Sequence, residues 1–89
     1  MSTVFIALQA NEETRAIIEA IVLDNPEAIV KREPAMVKIN APGHLVVNRE
    51  TIESIVGRSF DLQEMHIHLI TLSGNVDETD DSLTLTWNN

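Results

Sequence analysis

Apolar positions fall into short runs whose period switches between two and about four along the chain. Thr3 to Gln9, TVFIALQ, is apolar and β-branched and predicts a first strand. Ile17, Ile18, Ile21 and Val22 then recur as i, i+1, i+4 and i+5. This is the broad buried stripe of a helix, with Glu13, Arg15 and Glu19 left for solvent. Asn11 stands where a helix cap belongs, and Glu12 and Glu13 fall in the positive first turn. LDNPE, residues 23–27, ends the helix, because proline keeps the residue before it out of helical geometry. A short strand over 28–32 follows, and Pro34 turns it into a strand over 36–40. In that strand Val37 and Ile39 share one face, and Met36, Lys38 and Asn40 the other.

APG, residues 41–43, is a turn, after which the order restarts. His44 to Val47 predicts a strand, and Asn48 a cap. Arg49 to Val56 predicts a helix with Ile52, Ile55 and Val56 on one side, and Gly57 sits at its C′ position. After RSFDLQ come a long strand from Met65 to Leu72, a turn at Ser73-Gly74, an acidic loop and a last strand from Leu83 to Trp87. The pattern is β-α-β-β twice, a pseudo-repeat with halves 1–41 and 42–89 that share no clear residue identity. Such mixing with hairpin-length links predicts the α+β class: one compact domain with helices packed on largely antiparallel sheet.

Composition narrows the function classes. At 89 residues the chain is one domain, burying about 60–65% of what its unfolded form exposes. It has no cysteine, which excludes disulfides, thiolate metal sites and a cysteine nucleophile. Its longest uncharged run, residues 65–76, falls short of the roughly 20 residues a membrane helix needs. MSTVFIALQANEE lacks the basic region and cleavage site of a signal peptide, so the chain reads as cytoplasmic. Six basic against 14 acidic residues give a net charge of −8, and Phe5, Phe60 and Trp87 are the only aromatic residues. That balance argues against a nucleic-acid partner and offers no base-stacking platform.

One stretch, EMHIHLIT at 64–71, raises metal chemistry directly. On a strand, Glu64, His66 and His68 project from one face, a common set for a transition metal, and His44 could converge from another strand. Against this, Ile70 and Leu72 share that face. The diiron pattern Glu-x-x-His is also absent, since Ala41, Gln63 and Met65 stand three residues before the histidines. A structural or partner-facing role is the leading reading, with metal binding and an acid–base role as alternatives. VDETDD, 76–81, resembles half a calcium loop but lacks its central glycine and terminal glutamate. No serine sits in G-x-S-x-G, and Gly43, Gly57 and Gly74 are isolated, so no phosphate-binding loop is present. The residues favour a non-catalytic binding or regulatory module.

Three longer stretches are more specific: TRAIIEAIVLDNPEA (14–28), MVKINAPGHLVV (36–47) and ETIESIVGRSFDLQEMHIHLITLSGNVDETDDSLTLTW (50–87). Together they resemble the small effector, or coupling, proteins of bacterial multicomponent diiron monooxygenases, and most of all the regulatory component of phenol hydroxylases. The resemblance implies a non-enzymatic, cofactor-free protein that binds a separate diiron hydroxylase and promotes coupled hydroxylation. Electrons would come from NADH through a flavin/iron–sulfur reductase. It further implies a partner interface at Asn25 and at His68, Ile70, Thr71, Leu72 and Gly74. Methane-oxidising relatives carry small polar residues where Ile70 and Leu72 stand here, and the long N-terminal extension of some relatives is not expected. The alternatives are a small ligand-binding regulatory domain using the face of His66 and His68, and a histidine-based metal protein.

Overall fold

β1 (Thr3–Gln9) forms as its alternation predicts: Val4, Ile6 and Leu8 enter the core, while Phe5, Ala7 and Gln9 take the other face. The computed structural model describes residues 3–87. Asn11 caps the next segment: its Oδ1 accepts from the Thr14 N–H at 3.0 Å, and the Thr14 hydroxyl accepts from the Asn11 N–H at 3.2 Å. Helix α1 (Arg15–Asp24) follows. Its buried stripe is Ile17, Ile18, Ala20 and Ile21, with the buried polar residues Thr14 and Asn25 at its two ends. Val22, expected in the stripe, lies just past its margin and is 38% exposed.

β2 (Ile29–Glu33) and β3 (Met36–Pro42) make the expected hairpin, with Val37, Ile39 and Ala41 buried. The expected turn at 41–43 does not fold the chain back on itself. β3 runs through Pro42, and Gly43, at φ 74°, passes the chain into β4 (His44–Asn48) of a second sheet. Helix α2 (Arg49–Val56) ends on Gly57, whose left-handed φ of 76° and N–H to the Glu53 carbonyl are a glycine C-cap. Of its three apolar positions only Ile52 is fully buried, and Ile55 lies at the surface. Asn48 occupies the N-cap position without capping. Its amide instead donates to Asp24 at 3.1 Å, and Arg49 N–H bonds the Asp81 carbonyl.

The expected long strand from Met65 is shorter. Asp61 and Glu64 form a capping box that starts a 3-10 turn (Leu62–Glu64), continued by one helical turn, α3 (Met65–His68). Leu62 and Met65, three apart, enter the core at helical spacing. Strand geometry begins only at β5 (Leu69–Ser73). Where a loop was expected, β6 (Asn75–Glu78) pairs with β7 (Ser82–Thr86), placing Asp77 opposite Thr84 and Glu78 opposite Leu83.

All strand pairs are antiparallel, in two sheets of order β2-β3-β1-β5 and β4-β7-β6. β5, from the second half, therefore completes the sheet of the first half. Gly74 carries the chain from β5 into the other sheet at φ 126°. A Cβ there would meet Val4 Cγ1 at 2.9 Å and the Thr86 carbonyl at 3.2 Å. One continuous core joins the inner faces of both sheets, α1, Ile52 of α2, and Phe60, Leu62 and Met65. The α+β class with antiparallel sheets is what the pattern predicts.

Candidate functional site

The helical turn at 65–68 decides the fate of the histidines. Side chains two apart on a helix diverge by about 200°, whereas on a strand they align. His66 Nε2–H reaches the Glu78 carboxylate on β6 at 2.9 Å. His68 Nε2–H points instead to Glu13, 3.3 Å away, and its Nδ1 accepts from the Asn11 amide at 3.4 Å. The two imidazoles brace α3 against different elements. Glu64 turns a third way, closing the capping box and approaching Arg58 at 3.9 Å. The common face expected of Glu64, His66 and His68 is therefore absent. Among the described residues, no three His, Cys, Asp or Glu side chains are placed to hold a metal ion.

Asn25 is 8% exposed and its amide is committed within the molecule. Nδ2 donates to the Ile21 and Val46 carbonyls at 2.7 Å each, and Oδ1 accepts from the Val46 N–H at 3.0 Å. Both amide hydrogens are used, and one lone pair on Oδ1 is left. Val46 lies on β4, an edge of its sheet, so the Asn25 amide takes the place of a neighbouring strand's peptide group. With the adjacent Asp24–Asn48 bond it bolts the C-terminal end of α1 to β4.

The other candidate residues lie along β5. Ile70 is 46% exposed at an irregularity in the β1–β5 register, and Thr71 is exposed. Leu72 is half-buried opposite Ile6 and packs on the core, and Gly74 is the inter-sheet passage described above. His68, at the start of this strand, meets the segment before α1, whereas Asn25 lies beyond the other end of α1, about 15 Å along its axis. The structure thus gathers His68 to Gly74 into one strip and leaves Asn25 at a separate place. Ile67, 73% exposed and beside His68, belongs to the strip. Strand alternation put it on the opposite face; the signal for its true direction is Asp61-x-x-Glu64, which announces a helix.

Around His68 the surface is only dimpled, with a recess of ≈150 Å³ lined by Glu13, Phe60, Ile67 and His68 among others. Pockets for small ligands run to about 300–1,000 Å³ and are mostly apolar. Two larger clefts are lined by charged groups, Arg15, Glu19 and Arg32 in one and Arg49, Glu53 and Asp61 in another, while a third, of ≈450 Å³, is an open apolar trough of Ile18, Val22, Leu23 and Ile55 between α1 and α2, away from the histidines. No described helix is long and apolar enough to cross a membrane.

Sheet edges distinguish β5 from its peers. Unpaired edges invite association, and proteins commonly guard them with charge or cover. β2 carries Lys31, Arg32 and Glu33, β6 carries Asp77 and Glu78, and β4 is covered by α1 and Asn25. Among the described residues β5, LITLS, pairs only with β1, and it bears no charge. An α+β module whose His66, His68 and buried polar groups serve its own framework, with one unguarded strand edge among the described residues, is built as a regulatory binding component. The chain belongs to the MmoB/DmpM family, which it matches over residues 2–86, and is a non-catalytic effector of that kind. It is 49% identical over 88 residues to the stimulatory component DmpM of phenol 2-monooxygenase from Pseudomonas sp. (strain CF600), covering 99% of this chain and 98% of that protein. It superposes with a TM-score of 0.93 on a chain from a phenol hydroxylase–regulatory protein complex, at 49% identity, covering 97% of this chain and 99% of that one. The soluble methane monooxygenase regulatory protein B shares the fold, at TM-score 0.75 and 24% identity, covering 97% of this chain and 65% of that one.

Proposed function

We propose that this protein is the regulatory component of a phenol hydroxylase system. It docks on the diiron hydroxylase and promotes coupled, NADH-dependent hydroxylation of an aromatic substrate, with electrons delivered by a separate flavin/iron–sulfur reductase. The observation that carries the reading is the uncharged, unguarded edge of β5, with Ile67, Ile70 and Thr71 outward, in a protein of net charge −8. Family membership and the likeness to the chain from a phenol hydroxylase–regulatory protein complex support it. Ile70 and Thr71 contact the hydroxylase directly. His68, Leu72 and Gly74 set the line of the strand, and Asn25 contributes by fixing the end of α1 against β4. The cytoplasm is where the system works.

Without chemistry of its own, such a protein acts by binding one hydroxylase conformation better than another. Moving a population from 1:99 to 99:1 takes a differential of about 5.5 kcal/mol. The test adds purified protein to hydroxylase, reductase and NADH, and follows product and NADH consumption. A saturable rise in product per NADH is expected, and Ile70→Asp should abolish it without altering the melting temperature. No rise at any ratio of components refutes the reading.

A further inference from the structure

The six cations divide into two groups. Arg15, Arg49 and Arg58 each lie within 4.0 Å of a carboxylate: Glu12, Asp81 and Glu64 respectively. Among the described residues, Lys31, Arg32 and Lys38 have no such partner, although the chain carries 14 acids, and all three lie on β2 and β3. Lys31 and Lys38 are directly opposed across the β2–β3 pair, an arrangement of like charges that disfavours the sheet. The Lys38 ammonium rests 4.2 Å from the centre of the Phe5 ring rather than on a carboxylate. Glu33 shares the outer face of β2 but lies beyond ion-pair distance of both lysines.

Register connects this patch to the β5 edge. Lys31 pairs with Lys38, Lys38 with Ala7 and Ala7 with Thr71, so one row crosses the outer face of the four-stranded sheet. Three strand spacings separate its ends, about 14 Å, well within the width of one protein–protein interface. We infer that the outer face of this sheet, centred on Lys31 and Lys38, is an electrostatic arm of the docking surface. It receives a carboxylate-bearing patch of the hydroxylase beside the place where β5 docks. The inference rests on the docking role proposed above. A second copy of this chain could offer its own Asp77–Asp81 hairpin, but two bodies of charge −8 repel at long range. A cationic patch on an acidic protein orients its approach, and the effect is screened beyond about 10 Å at 0.1 M salt.

The test is the affinity of wild type and of Lys31→Glu/Lys38→Glu for the intact hydroxylase, measured by fluorescence anisotropy across ionic strength. The double variant should bind about tenfold more weakly at low salt and converge with wild type near 1 M salt, where screening acts within about 3 Å. Lys31→Gln/Lys38→Gln, which removes charge without reversing it, should fall between the two. Thermal melting of each variant checks that the fold persists, which the exposed or half-exposed positions favour. Equal affinity of wild type and both variants at low salt, with Ile70→Asp still defective, overturns this inference and leaves the docking role standing. No binding by wild type at any salt overturns both. Wild-type self-association at low salt that the charge reversal removes, with hydroxylase affinity unchanged, assigns the patch to a second copy and also overturns it.

Discussion

Replacing Asn25 with alanine removes three hydrogen bonds at once, and with them the link between α1 and the edge of the second sheet. The Val46 N–H, the Val46 carbonyl and the Ile21 carbonyl all lose their side-chain partner. A net contribution of about 0.5–1.5 kcal/mol per bond puts the loss between about 1.5 and 4.5 kcal/mol. The site lies at a sheet edge, so water can enter the vacated space and re-solvate part of the exposed backbone. That moderates the penalty for unsatisfied groups and favours the middle of the range, about 3 kcal/mol. For a domain of this size each kcal/mol moves the melting temperature by about 4–8 °C, so a fall of roughly 12–24 °C is expected. Urea unfolding followed by circular dichroism at 222 nm, with thermal melts alongside, measures both. A loss below about 1 kcal/mol with an unchanged urea slope would refute the reasoning and return the Asn25 amide to the pool of partner-facing groups.

Other outcomes follow from the same geometry. Ile52→Ala, at a fully buried position, should cost about 2–5 kcal/mol in urea unfolding, and a change below 0.5 kcal/mol would contradict its place in the core. Gly74→Ala should destabilise more than Gly57→Ala. Both glycines have positive φ, but a Cβ at Gly74 meets Val4 at 2.9 Å while that at Gly57 meets nothing within 4 Å; equal melting temperatures would show that the crowding is relieved at no cost. Ile70→Asp should stay within about 0.5 kcal/mol of wild type, as surface changes usually do, while losing stimulation of the hydroxylase.

The legible parts of the sequence were those where a period ran long enough to choose one template. Val4, Ile6 and Leu8 alternate over a whole strand, and Ile17, Ile18 and Ile21 recur as i, i+1 and i+4 on one helix face; both stand where the pattern places them. Gly57 marked the end of α2 because only a residue free of a Cβ enters φ 76° cheaply. The margins of stripes were less secure. Val22 and Ile55 are apolar and correctly spaced, yet each lies on the outer border of its helix, where packing of the two helices and the sheets sets the limit of burial.

EMHIHLIT was ambiguous for a physical reason. Eight residues with apolar side chains at 65, 67, 69 and 70 fit a strand by alternation, and the capping box that makes the first half helical lies just upstream at Asp61 and Glu64. Local chemistry determined that α1 exists, that the sheets are antiparallel and that no cysteine or glycine-rich site is available. Tertiary structure decided that β5 joins the first half's sheet, that Asn25 bonds a strand 21 residues away and that His66 and His68 face different carboxylates. Those outcomes depend on which backbone groups are left without partners once the sheets assemble. A side chain's neighbours in sequence carry no record of that.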